Sequence, residues 1–190
     1  MKKLLTALVI IASMGTAGSV CAADFAKGAS FYKAGNFAAA LKEWKVLAEQ
    51  GNAKAQNELG RMYELGLGGV QDYKEAVKWY CKAAEQGNAW AQSNLGGLYW
   101  NGQGVAQDYK EAVKWYRKSA EQGYATAQYN LVVMYGNGQG VIQDNVYAHM
   151  WWNIAASNGD KDAKKNRDSI AERMTAADIS KAQGLARACV

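Results

Sequence analysis

The stretch Asp72-Tyr73-Lys74-Glu75-Ala76-Val77-Lys78-Trp79-Tyr80 decides the fold, because the same nine residues return unchanged as Asp108 to Tyr116, 36 positions later. Nine identities at one offset are beyond coincidence, and the offset holds outside them. It links Leu59, Leu95 and Leu131, then Tyr63, Tyr99 and Tyr135, then Gly87, Gly123 and Gly159. A fixed period of this size is the signature of a stacked repeat array. The units run 53–88, 89–124 and 125–160.

Each unit reads as two helices. In the first, Ala55, Leu59 and Tyr63 fall four apart and share a face, and the same spacing recurs in Ala91, Leu95, Tyr99 and in Ala127, Leu131, Tyr135. Gly60 and Gly96 sit beside the Leu, where a missing side chain lets a neighbouring helix come close despite a helix-propensity cost of about 1 kcal/mol. The turns Gly66-Leu67-Gly68, Gly102-Gln103-Gly104 and Gly138-Gln139-Gly140 supply positive φ. Asp72, Asp108 and Asp144 follow as N-caps. Glu75 and Glu111, three residues on, predict a capping box in the first two units, and Tyr147 in their place predicts a weaker third cap. The second helix carries Ala76, Tyr80 and Ala83 on one face, flanked by Trp79 and Ala84. One such pair has too little core to stand alone, so stability must come from stacking. The absence of Pro and the presence of 20 Gly fit long helices broken by glycine turns.

The flanks read as end units. Residues 23–52 hold a shortened version with Tyr32, Gly35, Ala40, Trp44, Ala48 and Gly51, and with several loop residues missing. Residues 161–190 start in phase at Ala163 and then lose the Tyr and the glycine loop, as capping helices do. Thr175 and Asp178 mark the start of a last helix over 176–188, whose Ile179, Ala182, Leu185 and Ala186 close the core.

Residues 1–22 read as an export leader. Lys2 and Lys3 precede an uncharged apolar run from Leu4 to Met14, and Val20-Cys21-Ala22 offers small side chains for a cut after Ala22, with Ala23 as a near equivalent. The expected location is periplasmic or secreted. Removal of the leader lowers the formal charge from +5 to +3, too little to argue for nucleic acid. It leaves Cys81 and Cys189, which the sequence neither pairs nor separates.

The pattern Ala-x3-Leu-Gly-x2-Tyr, Gly-x-Gly-Val, Asp, Ala-x2-Trp-Tyr-x2-Ala-Ala and a closing Gly resembles the Sel1-like repeat family, relatives of the tetratricopeptide repeats. Gly69 standing before Val70, Val132 in place of the second Gly, and Trp151-Trp152 in place of Trp-Tyr are departures that touch local packing only. The resemblance implies an all-α fold, a right-handed α-solenoid of helix-turn-helix repeats with a tetratricopeptide-like first unit. It also implies an adaptor or scaffold acting on other proteins, with no single activity attached. Some exported bacterial members are credited with acting on β-lactams and others serve as immunity proteins. Those roles stand here as alternatives, because the motif residues are structural.

Catalytic chemistry finds little purchase. His149 is the one histidine, in the register of Val77 and Val113, and reads as a packed helix residue. Cys81 takes the register of Arg117 and reads as a boundary residue. No nucleophile–base motif is present. Asp72, Asp108 and Asp144 lie on separate units, roughly 10 Å apart at helix-packing separations, so they cannot share one ion. No cofactor and no metal is expected. Lys74, Lys78, Lys82 and Lys110, Lys114, Lys118 form stripes on the second helices and read as a solvated outer face, the one place where membrane headgroups find a match.

Partner-binding candidates are apolar residues where sister units are polar. Trp90 replaces Lys54 and Thr126, and Trp100 replaces Glu64 and Gly136. Tyr129 replaces Asn57 and Ser93, Val133 replaces Arg61 and Gly97, and Tyr124 replaces Asn88. The fold does without these side chains in other units, which frees them to anchor a protein or peptide on the first-helix surface. Trp100 ranks first and Trp90 second.

Overall fold

A computed structural model describes residues 24–188. Among them are ten helices and no strand: α1 (Phe25–Lys33), α2 (Phe37–Glu49), α3 (Ala53–Leu65), α4 (Tyr73–Glu85), α5 (Ala89–Asn101), α6 (Tyr109–Ala120), α7 (Ala125–Asn137), α8 (Asn145–Ser157), α9 (Lys161–Ala171) and α10 (Ala176–Ala188). Each helix from α1 to α8 packs on the next in the chain, and α10 folds back onto α8. This is an α-solenoid of helix pairs. No helix among the described residues is long and apolar enough to cross a membrane. Residues 1–22, expected to be a leader, and Cys189 lie outside the described residues.

The core forms in sections that straddle unit boundaries. One joins Ala40, Trp44 and Ala48 of α2 to Ala55, Leu59 and Met62 of α3, and Trp79 of α4 reaches into it. The next joins Ala76, Tyr80, Ala83 and Ala84 of α4 to Ala91, Leu95 and Leu98 of α5, with Trp115 of α6 reaching in. Each tryptophan therefore ties its own unit to the preceding section, and burying a ring of this kind is worth roughly 2–3 kcal/mol. Leu59, Leu95 and Tyr80 are wholly buried, so the recurring side chains do hold the stack together.

Gly60 and Gly96 act as anticipated. A Cβ on Gly60 would lie 2.7 Å from the Tyr80 ring, and on Gly96 2.9 Å from that of Tyr116. The second glycine of each loop fills a stricter requirement: Gly68, Gly104 and Gly140 have φ of 81°, 74° and 72°. Each presses on the backbone at the start of the preceding second helix, at Phe37, Tyr73 and Tyr109.

The Asp caps form, but the capping box does not. Asp72 Oδ1 accepts from Lys74 N and Glu75 N at 2.9 and 3.1 Å. The backbone N–H of Asp72, which a capping box would offer to Glu75, donates instead to the Tyr63 carbonyl at 2.9 Å, and Asp108 and Asp144 do the same to Tyr99 and Tyr135. With that donor committed to closing the loop, Glu75 and Glu111 turn outward to Lys78 and Lys114. In the third unit Tyr147 N lies 3.3 Å from its cap, longer than its counterparts. At the last helix the Thr175 hydroxyl accepts from Asp178 N and donates to the Asp178 carboxylate.

Two further sets of bonds recur without having been anticipated. Gln71, Gln107 and Gln143 donate across the loop to the carbonyls of Glu64, Trp100 and Gly136 at 2.7–2.8 Å. The buried Gln56, Gln92 and Gln128 donate to Ala48, Ala84 and Ala120 O of the preceding unit at 3.0–3.1 Å.

Candidate partner-binding site

Three first helices and one second helix enclose a groove of about 350 Å³. Phe25, Ala29 and Tyr32 come from α1 and Trp44 from α2. Lys54, Glu58 and Arg61 come from α3, and Trp90 from α5. The groove exists because the shortened first unit brings α1 against Trp44. Phe25 and Tyr32 each meet its ring at 5.7 Å, and Trp44 Nε1 donates to the Phe25 carbonyl. A Cβ at Gly28 would strike the Trp44 indole, so that glycine sets the approach of α1.

The wall is polar and organised. The Arg61 guanidinium lies over the Tyr32 ring at 4.7 Å and donates to Glu58 at 3.2 Å. A stacked and ion-paired arginine loses little further freedom when a ligand contacts it. Lys33 and Lys54 stand exposed at the rim. Trp90, in the register of Lys54, is 51% exposed. A large ring held half in water beside an aromatic floor is a ready anchor for an apolar side chain.

The five candidates do not gather in one place. Trp90 lines the groove. Trp100 is half-buried and sits edge-on to Tyr116, centroids 6.2 Å apart. It stands where Glu64 accepts a 2.6 Å hydrogen bond from the Tyr80 hydroxyl, so it replaces a polar contact with a ring contact inside the stack. Tyr124 is half-buried against the third core section, and it caps α7 without the side-chain bond that Asn52 and Asn88 give their helices. A lost cap of that kind is worth about 1 kcal/mol. Val133 is half-buried on α7. Tyr129 is 52% exposed and rests edge-on against Trp152. Its counterparts Asn57 and Ser93 are buried, and Asn57 accepts from Asn94 of the next unit. Tyr129 is exposed because the unit after it is a cap, not another repeat.

Phe25, Tyr32, Trp44 and Arg61 were not singled out as a binding surface. Their separation in the chain hides them, although the absence of a sister-unit counterpart for Phe25 is a signal of the kind that marked Trp90.

Among the described residues, the most shifted titratable groups owe their shifts first to burial. Burial, and then the Glu64 carboxylate, push the Tyr80 phenol far above its ordinary range, and burial does the same to Tyr116. Cys81 is half-buried, and burial, with Glu85 adding to it, raises its thiol. His149 is buried, and desolvation followed by Arg167 lowers its pKa, against a smaller opposing effect of Asp168. Among the described residues no three His, Cys, Asp or Glu side chains gather as a metal site. The lysine stripes are exposed, yet Lys82 and Lys118 lie over Trp79 and Trp115 at 4.4 and 4.5 Å. They shield the rings that link the core sections.

The described geometry has clear counterparts. A Sel1 repeat protein from Oxalobacter formigenes superposes with a TM-score of 0.70 and 39% identity over 74% of this chain and 58% of that one. A protective antigen of uropathogenic Escherichia coli with an SLR fold gives 0.59 and 30% over 79% of this chain and 40% of that one. The present chain thus spans less than two thirds of either protein. Helicobacter pylori cysteine rich protein B shares the fold at a TM-score of 0.53 and 22% identity, with 66% of this chain covering 95% of that one. No curated protein matches the chain. The Sel1 repeat profile matches residues 53–88, 91–124 and 125–160, more than half of the sequence, and the chain belongs to the Sel1 repeat family.

Proposed function

We propose that this protein is a non-enzymatic interaction scaffold of the bacterial cell envelope, and that the groove between α1, α3 and α5 seats a segment of a partner protein. Sel1 repeat proteins generally mediate protein–protein interaction, and the finer reading rests on one observation. Trp90 is half exposed beside the aromatic floor of Phe25, Tyr32 and Trp44, with an organised Arg61–Glu58 pair on the wall. The sister units do without the Trp90 ring, so stacking does not explain its presence. The envelope assignment rests on the leader.

Capture from envelope extract with the full chain as bait, compared with its Trp90→Ala form, tests the site. Trp90 touches little core, so the variant's melting curve is expected to overlay that of the parent, while a captured partner is lost or weakened at least tenfold, the usual scale of an aromatic anchor at about 1.4 kcal/mol or more. Undiminished capture by a folded Trp90→Ala protein removes the groove from consideration.

A further inference from the structure

The glutamine bonds between units repeat, and then they stop. In the first junction Gln56 donates to Ala48 O, and its Oε1 accepts from Gln86 Nε2 at 2.7 Å. In the second, Gln92 donates to Ala84 O and accepts from Gln122 Nε2 at 2.8 Å. In the third, Gln128 donates to Ala120 O at 3.1 Å, which fixes which end of its amide is the oxygen, and that oxygen has no partner. Gln128 is fully buried. A buried acceptor left unpaired costs roughly 1–3 kcal/mol.

The cause is a side chain one methylene too short. Position 158, in the register of Gln86 and Gln122, is Asn. Its backbone matches that of Gln86, with φ and ψ of −84° and 6° against −82° and 4°, so the backbone presents the shorter amide as it does the longer one. Nearby, Ile154 takes the place of Lys82 and Lys118. The two truncations leave a pocket of about 240 Å³ between the α6–α7 turn and α8, lined by Gln128, Trp151, Ile154, Asn158 and, on the turn, Glu121 and Gln122.

We propose that this pocket is a binding site for a primary amide, the side chain of a glutamine presented by another polypeptide, seated where Gln86 and Gln122 sit in the preceding junctions. The ligand's NH2 donates to Gln128 Oε1. The Glu121 carboxylate and the carbonyl end of α6 make the surroundings rich in acceptors, which favours an N–H donor. Trp151 lines the pocket, and its Nε1 is also unpartnered. Trp79 shares that orphaned nitrogen, so the unpaired Gln128 oxygen is what sets this junction apart. The site is separate from the Trp90 groove and does not depend on it.

Titration of the ¹⁵N-labelled full chain with N-acetylglutamine methylamide tests this, read from the Gln128 side-chain amide and the Trp151 indole in NMR spectra. Saturable shifts at both are expected, and Asn158→Gln, which fills the pocket from within, weakens binding by about tenfold or more. That variant also melts no lower than the parent, because it supplies the missing donor. Three results overturn the proposal: no saturable shift in the parent, equal binding by Asn158→Gln, or tighter binding of N-acetyllysine methylamide than of the glutamine compound. A lower melting temperature for Asn158→Gln overturns the template on which it rests.

Discussion

The first two complete repeats are near copies in their packing, and the third is not. In both of the former a glycine receives a tyrosine, a buried glutamine is bonded at both ends, and a tryptophan lies under a lysine. In the third, Val132 takes the glycine's register and Trp152 the tyrosine's, Gln128 is bonded at one end, Ile154 stands where the lysine was, and His149 occupies a valine's register. What survives unchanged in all three is the loop: the positive-φ glycines, the Asp cap, the tyrosine carbonyl and the Gln bond. The connection between helices is therefore the invariant of the repeat. The packing of the helices on one another is free to drift once the next neighbour is a cap.

The largest effect should come from that invariant. Gly104→Ala and Gly140→Ala each force a Cβ onto the backbone of the preceding helix from a left-handed residue. Each should destabilise by about 3 kcal/mol or more, in equal measure, because no flexible side chain can give way. Gly69→Ala, with open space around it and no positive φ, should stay within about 0.5 kcal/mol of the parent. Urea unfolding of the three variants checks this, and unequal losses at 104 and 140 would break the equivalence of the loops.

A smaller effect sharpens the contrast between the two helices of a unit. Gly96→Val copies the third unit into the second without supplying Trp152, and should lose about 2 kcal/mol through overpacking on Tyr116. Val132→Gly makes the reverse change and should also lose about 2 kcal/mol, here by uncovering apolar surface and loosening α7. Losses in both directions, read from unfolding midpoints, would show two separately adjusted interfaces. A neutral Gly96→Val would mean that the Gly–Tyr contact is incidental.

The same contrast explains what the sequence disclosed. Helix pairs, loop glycines and Asp caps follow from local periodicity and backbone geometry, and Leu59 and Tyr80 lie in the core as their spacing requires. The recurrence of Gln56, Gln92 and Gln128 was in plain view, but a polar residue gives no sign of burial until its partners are known. The capping box failed because the Asp72 N–H is taken by Tyr63, nine residues earlier in the chain and across the loop. For the site, reading every non-recurring aromatic as free to bind treats alike two tryptophans that the structure places differently, Trp90 being half exposed beside the groove. Trp100 is equally irregular, but it takes over a contact that Glu64 makes with Tyr80 in a different chemical form. Periodicity identifies which positions changed; only packing separates an exposed ring from a substituted core contact.

His149 offers the most delicate way to probe the third unit. Its ring is 2% exposed and its Nδ1 has no hydrogen-bond partner. Burial and the Arg167 charge hold its pKa below the ordinary value of 6.5, with Asp168 partly offsetting them. Above that value the ring is neutral in both folded and unfolded chains and contributes no pH dependence. As the pH falls through it, the unfolded chain takes up a proton that the native state refuses, so stability declines until the native ring also titrates. His149→Val restores the residue of the sister units and removes this linkage. The pH-dependent part of the gap between parent and variant should be absent at pH 8 and should grow below pH 6.5 in favour of the variant, reaching at most about 1.4 kcal/mol at pH 5.5. Unfolding curves at several pH values read this directly. A gap that does not change with pH would show that the native state accommodates the charged ring, and that the third unit differs from its sisters in packing alone.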